Sequence, residues 1–358
     1  MKIKVSSAEL NRMMKTVSRC ISPIDAKYEN VEIISANNML AIRSTNGSIA
    51  AVMTTPLIGC DMGSFCVDGA MFARVCSMCN GNVEITTDDK SCTVKGTGRT
   101  RIPTVNVKIP RFERISGPTV TIQAEDFNRC YGAVAYAIST ELTRIVLTGV
   151  KMKTSKEGLT MVAMDGYQMA VEHSDYDGED CVSAVIPGAV MKLISQSVLA
   201  GEKIKLTFSK SKVQAETKGV LISGSLLANE FPDYNRIMPK EFTTESLVDT
   251  DMLRDALKSG SVVNTANNLV MLYVGDSSLA VMSNSCNADY SADMPCETQG
   301  KSIAIALNQR YLMNTLNAIG SEKVVMKFNS PVSPCVICGL GQDGEHLVLP
   351  VRVHENNG

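Results

Sequence analysis

Ala184-Val185-Ile186, a helical stretch from Pro187 to Leu199, the break Ala200-Gly201 and the alternating run Lys203-Ile204-Lys205-Leu206-Thr207-Phe208 decide the fold, because this string occurs three times. One other copy is Phe65-Cys66-Val67, Asp68 to Cys79, Asn80-Gly81 and Asn82-Val83-Glu84-Ile85-Thr86. The last is Ile303-Ala304-Ile305, Leu307 to Ile319, Gly320-Ser321 and Lys323 to Phe328. Period-two alternation marks strands with one buried face, and Gly at each break is expected to supply the left-handed residue that ends a helix. The helix starts lie about 120 residues apart, a domain-sized interval. Upstream of each copy stands a further strand and amphipathic helix: Ile3-Lys4-Val5 with Ser6 to Ser18, Val120-Thr121-Ile122 with Ala124 to Ile138, and Ser246-Leu247-Val248 with Thr250 to Val263. Ser6 and Glu9 have capping-box spacing, and Asp249 or Thr250 is placed to cap the third helix. The prediction is an α+β chain of three repeated domains, 1–117, 118–242 and 243–358, each of two helices packed on antiparallel sheets.

Composition agrees with an ordinary globular chain: 358 residues, 44% hydrophobic and 20% charged, enough for several cores. The opening Met1-Lys2-Ile3-Lys4-Val5-Ser6-Ser7 has no apolar signal core, and no window approaches 18 apolar residues, so a cytoplasmic protein with no membrane partner is expected. In that compartment the 12 Cys stay thiols, and with 20 Met and no Trp they read as adaptable core fillers. A formal net charge of −2 excludes a surface that is basic all over, but it allows a basic lining inside an acidic exterior.

Several strings point further. They are Phe65-Cys66-Val67-Asp68-Gly69 with Phe72, Ala137-Ile138-Ser139, Arg144 with Leu147-Thr148-Gly149-Val150, and Gly158-Leu159 leading to Ala163-Met164-Asp165-Gly166-Tyr167. The most specific are Phe231-Pro232-Asp233-Tyr234-Asn235-Arg236-Ile237-Met238-Pro239 and Leu349-Pro350-Val351-Arg352, with Asn308, Tyr311 and Leu312. In this order and spacing, over nearly the whole chain, they resemble the bacterial DNA polymerase III beta subunit family, the sliding clamps. Departures are Gln168 where the family usually has a basic residue, Asn267 where some members carry an aromatic, and a short loop from Ser22 to Lys27.

The resemblance implies a head-to-tail homodimer closed as a ring around double-stranded DNA. It slides without sequence specificity and tethers the replicative polymerase, the clamp loader and other proteins that carry short clamp-binding peptides. It implies a peptide groove formed by Leu147, Gly166, Tyr167, Met169, Pro232, Arg236, Ile237, Asn308, Tyr311, Leu347, Val348, Leu349, Pro350, Val351 and Arg352. It also sets the helices on the channel wall, where Arg12, Lys15, Arg19, Arg74, Arg129, Lys192, Arg254, Lys258 and Arg310 meet phosphates without reading bases. The first helix carries Leu10, Met13, Met14 and Val17 on one stripe and Arg12, Lys15 and Arg19 on the other, an amphipathic arrangement that an ordinary solvated helix would share. Ring closure is expected through the strand Arg101-Ile102-Pro103-Thr104-Val105, with Ile102 and Thr104, and the helix end at Val262 and Val263.

Catalysis is not expected, and neither is a metal or cofactor. The three His, His173, His346 and His354, flank no nucleophile motif, and no phosphate loop is present. Cys76 and Cys79 share metal-ligand spacing but lack a second pair, whereas Cys335 and Cys338 fall in a strand whose residues three apart face opposite ways. A metal-dependent nuclease built on Asp68, Asp165 and Asp233 is the alternative, although each Asp sits in a turn-like string where local capping explains it.

Overall fold

The computed structural model describes residues 1–22, 24–57, 61–88, 90–111, 113–263 and 268–352. Each repeat contains eight strands and two α-helices. The first has β1 Lys2–Ser6, α1 Ser7–Val17, β2 Asn30–Ala36, β3 Met39–Thr45, β4 Ile49–Pro56, β5 Gly63–Asp68, α2 Gly69–Ser77, β6 Asn82–Thr87, β7 Ser91–Lys95 and β8 Arg99–Val105. The second has β9 Thr119–Gln123, α3 Ala124–Val134, β10 Gly149–Ser155, β11 Gly158–Met164, β12 Gln168–Ser174, β13 Ser183–Pro187, α4 Gly188–Ser197, β14 Lys203–Phe208, β15 Lys212–Thr217 and β16 Val220–Ser225. The third has β17 Thr244–Asp249, α5 Thr250–Val263, β18 Leu269–Val274, β19 Ser278–Asn284, β20 Asp289–Gly300, β21 Ile303–Asn308, α6 Gln309–Ala318, β22 Lys323–Phe328, β23 Cys335–Gly339 and β24 Glu345–Val348.

Pairing follows one rule in every repeat. The first strand runs antiparallel to the sixth: β1 with β6, β9 with β14 and β17 with β22. Two three-stranded meanders surround each such pair, as in β2-β3-β4 and β14-β15-β16. Alternation in sequence becomes alternation in burial, eBeBe along β1 and eBeBiB along β14, because successive strand side chains face opposite sides.

The helix starts follow the predicted capping, whereas the helix stops do not fall on the predicted Gly. Ser6 Oγ accepts the Glu9 N–H at 3.2 Å, Asp68 Oδ1 that of Met71 at 2.6 Å, and Asp249 Oδ1 that of Met252 at 2.9 Å. Glu9 does not complete the box; its carboxylate turns to Arg12 instead. Gly81 and Gly201 adopt the expected left-handed φ, 68° and 79°, but three residues beyond the helix caps Met78 and Val198, where they turn the loop after the helix has ended. Gly320 does not: α6 stops at Ile319, whose N–H returns to Thr315 O at 3.1 Å.

The described chain forms two compact units that cut across the central repeat. One comprises 1–128 and 178–227, and the other 129–177 and 228–358. In the first unit, β4 pairs with β16, carrying the sheet of the first repeat into the second. In the second unit, β12 pairs with β24 in the same way. A continuous ladder of strands explains why half of the central repeat is inseparable from each neighbour: dividing there would leave a row of unpaired backbone groups. Among the described residues no helix is long and apolar enough to cross a membrane.

Candidate functional site

At the β12–β24 junction, within the second unit, the backbone brings together several of the residues expected to form a groove, of which Tyr167 and Tyr311 border a cavity. The turn from β11 to β12 is held by Asp165, whose Oδ1 accepts the N–H groups of Tyr167 and Gln168 at 2.8 and 2.9 Å. Gly166 at its tip adopts φ 99°, a conformation that costs Gly nothing and strains other residues. Leu349 donates its N–H to Tyr167 O at 2.9 Å, and Val351 donates to Ala306 O at 2.8 Å. These bonds lay the chain from Leu347 to Arg352 against both the turn and β21, where Leu307 and Pro350 form a bridge.

The wall of the groove is aromatic and cationic. Tyr167 and Tyr311 stack with ring centroids 5.9 Å apart and planes at 18°, and the Arg310 guanidinium lies 5.5 Å from the Tyr311 ring. Tyr167 is 57% exposed, so this stack presents an open face rather than filling a core. Asn308 caps α6, its Oδ1 accepting the N–H groups of Arg310 and Tyr311 at 3.0 and 3.3 Å. That leaves its amide donors as the groups Asn308 can offer a ligand. Arg236 is exposed and pairs with Asp233 at 3.1 Å. Ile237 is 40% exposed, Gly166, Pro232, Val351 and Arg352 are exposed, and Leu349 and Pro350 are half-buried.

Four expected groove residues are core in this state. Leu147 is 3% exposed, and Met169, Leu347 and Val348 are as fully buried. They pack beneath the exposed residues of the junction. Gln168 also faces inward, its Nε2 donating to Asp165 Oδ2 at 2.9 Å and to Tyr136 O at 3.4 Å. A basic residue would place a charge there, whereas Gln stiffens the turn. Asn267 lies outside the described residues.

Beneath the wall is a buried network that sequence reasoning missed. The Tyr136 hydroxyl is 3.0 Å from His346 Nδ1 and 3.1 Å from Thr315 Oγ1. Burial holds the His346 pKa down to about 4 and pushes the Tyr136 phenol above its usual range. Both are therefore neutral at pH 7 and act as hydrogen-bonding props. Tyr136 also borders a cavity of about 350 Å³ with Tyr167, Arg310 and Tyr311. Its only sequence signal was its place directly before Ala137-Ile138-Ser139.

The charged helices divide into two groups. Arg12 pairs with Glu9, Arg254 with Asp251 and Leu316 O, and Arg129 with Glu172 and His173 O. Arg19 donates to Gln196, and Arg310 covers Tyr311. Lys15, Arg74, Lys192 and Lys258 are exposed and form no ion pair with another described residue. The apolar stripe of α1 is buried as expected.

Of the residues expected at a dimer contact, Val262 is 79% exposed and Val263 half-buried, while Ile102 belongs to the core face of β8 at 2% exposure. β8 pairs with β7 through Arg99–Pro103 and with β5 through Thr104 and Val105. Only its first stretch keeps one open edge among the described residues.

The alternative site does not assemble. Asp68 caps α2, Asp165 holds the β11–β12 turn, and Asp233 Oδ1 accepts the Asn235 N–H at 3.2 Å, the local work expected of Asp in turns. Burial pushes the Cys66 and Cys338 thiols up to about 11, those of Cys20 and Cys92 to about 12, and those of Cys76 and Cys335 higher still. None of these six is a thiolate at pH 7, so they serve as packing groups.

Three repeats of eight strands and two helices define the architecture of a DNA sliding clamp. Solved structures share it over 99% of this chain and 100% of theirs: the beta subunit of DNA polymerase III from Thermotoga maritima at TM-score 0.93 and 21% identity, and the sliding clamp from Bacillus subtilis at 0.91 and 20%. Curated relatives named beta sliding clamp are 26% identical in Streptomyces coelicolor, over 81% of this chain and 82% of the relative, and 23% in Staphylococcus aureus, over 97% of each. Family models for the central and C-terminal domains of the DNA polymerase III beta subunit match residues 121–233 and 235–352. The chain belongs to the DNA polymerase III beta subunit family.

Proposed function

We propose that two copies of this chain close head to tail into a ring around duplex DNA, which then holds a polymerase through the groove at the β12–β24 junction. The chain is a processivity factor of DNA replication, and the nuclease alternative is set aside. The carrying observation is the tripled unit together with the groove: a protein that must hold on without reading sequence needs repeated helices and a docking cleft, and no reacting group.

Ring closure has support in the strand pairing. Within a chain, the last strand of one repeat joins the fourth strand of the repeat before it, β16 to β4 and β24 to β12. The remaining partners are β8 and β20, one from each end of the chain. Between Asp289 and Pro295, β20 pairs only with β19 among the described residues. This stretch carries Asp289 and Asp293 against Arg99 and Arg101 of β8, a complementary match for a head-to-tail contact that closes by two-fold symmetry.

Weak contacts suit the task. Lys15, Arg74, Lys192 and Lys258 meet phosphates on the channel wall as screened, exchangeable pairs, so the ring slides. Base-edge bonds worth about 1 to 3 kcal/mol each would stall it. In the groove an extended peptide lays an apolar anchor near Ile237 and Pro350 and a polar group near Asn308 and Arg352. The 1–117, 118–242 and 243–358 division describes the three clamp domains, and the two matched family domains support the second and third. The protein works in the cytoplasm, without a catalytic step, cofactor or membrane, and a separate loader opens the ring. The decisive experiment loads labelled protein onto nicked circular DNA with a clamp loader. Retention on the circle at high salt and rapid loss after the DNA is cut once are expected. Equal loss from both would refute encirclement.

A further inference from the structure

The groove has a counterpart at the other junction, inside the first unit. The turn from β3 to β4 repeats the bonding of the turn from β11 to β12. Asn46 Oδ1 accepts the N–H groups of Ser48 and Ile49 at 3.0 and 2.8 Å, and Gly47 adopts φ 92°. Ser225 then donates its N–H to Ser48 O at 3.1 Å, as Leu349 does to Tyr167 O. Leu227 donates to Val185 O at 3.0 Å, as Val351 does to Ala306 O. The register makes Ser48 the counterpart of Tyr167, Ser223 of Leu347, Gly224 of Val348 and Ser225 of Leu349.

The backbone is shared and the side chains differ. Where the β12–β24 junction presents the Tyr167–Tyr311 stack, this cleft of about 360 Å³ presents Ser48 and Ser225 beside Tyr28, Ile49 and Ile115, and it is bordered by Arg111, Arg114 and Lys212 with Glu113 as its one carboxylate. Glu216 holds Arg114 in a two-pronged pair at 2.9 and 3.0 Å. Arg111 and Lys212 are exposed, and neither forms an ion pair with another described residue. A cleft of this size is typical of ligand sites, which run roughly 300 to 1,000 Å³.

We propose that this cleft is a second peptide-docking site, selective for an acidic extended segment of a partner protein. The inference rests on reading the groove at the β12–β24 junction as a peptide site, since the two share their construction. A protein ligand fits better than a nucleic acid, which tracks a continuous basic path. Here Glu113 stands among the cations and Glu216 already occupies Arg114, a pattern that suits separated carboxylates and repels a run of phosphates. Hydroxyls from Ser48 and Ser225 give hydrogen bonds to a polar chain beside the unpaired charges of Arg111 and Lys212.

The test is fluorescence anisotropy of a labelled Glu-Ser repeat peptide with the full-length protein. Binding is expected to weaken about tenfold or more in Arg111→Ala/Lys212→Ala, which removes two charge-assisted contacts, and in Ser48→Glu. It should be unchanged in Tyr311→Ala and in the surface control Lys203→Ala/Lys205→Ala, with the thermal midpoint of each variant confirming the fold. No binding at all, an equal loss in the lysine control, or a single-stranded oligonucleotide of equal charge binding more tightly through Arg111 would each overturn the proposal. A peptide with Gln, Leu and Phe anchors, displaced only by Tyr311→Ala, checks the groove separately. If that peptide failed while the acidic one bound through Arg111 and Lys212, the groove reading would fall and the cleft would stand.

Discussion

Replacing Lys15, Arg74, Lys192 and Lys258 together by Ala should flatten the salt dependence of DNA binding, and replacing Arg12 and Arg254 should do so far less. The distinction comes from partners. Arg12 and Arg254 already share their charge with Glu9 and Asp251 one helical turn away, so a phosphate must compete with a carboxylate already in place. The four others are exposed and form no ion pair with another described residue. Each phosphate neutralised on duplex DNA contributes about 0.9 to the slope of log affinity against log salt. If only two of the four touch phosphate at one time in each copy, a ring loses four contacts and its slope falls by about 3.6. Fluorescence anisotropy with a short linear duplex, titrated from low to physiological salt, gives the slope directly, and sedimentation confirms that the dimer persists. An unchanged slope in the quadruple variant, or a greater fall in the Arg12/Arg254 pair, would refute the assignment of the channel wall.

The groove predicts that Tyr311→Ala or Pro350→Ala weakens a Gln-Leu-Phe peptide about tenfold, roughly 1.4 kcal/mol, by titration calorimetry with dimer mass intact; unchanged affinity in both would place the groove elsewhere. Leu147→Ala should instead lower stability by about 2 to 5 kcal/mol, read from urea unfolding, because it opens a cavity under the floor. Sedimentation should give roughly twice the 38.6 kDa of one chain, and Arg99→Glu/Arg101→Glu should dissociate it by setting like charges against β20; a persistent wild-type monomer at micromolar concentration would sink the ring. His346 is neutral in the fold with a pKa near 4 against an ordinary 6.5, so its unfolded form binds the proton first. Its stabilising effect is present above about pH 6.5 and is lost as the pH falls toward 4, by of order 3 kcal/mol. Unfolding curves of wild type and His346→Gln should diverge above that window and converge below it.

Repetition and alternation were legible in the chain itself. Strand β14 and helix α5 begin and end where their patterns do, since side-chain period and local capping are short-range matters that one segment settles alone. The turn at Asp165-Gly166-Tyr167 was equally readable, because an Asx side chain and a Gly suffice to make it.

Tertiary structure decided what each residue then faces. Leu147 and Val348 look like groove residues in sequence and lie in the core, whereas Tyr167, three residues after the buried Met164, stands open to solvent. Periodicity assigns a side to each residue but not the thickness of protein covering it. Nor does sequence order reveal that Tyr136, Thr315 and His346, up to 210 residues apart, share one buried network. The likeness of the Ser48 turn to the Tyr167 turn also emerged only from the bonds of the folded chain, since hydrogen bonding between main-chain groups constrains geometry while leaving most side-chain chemistry free to change.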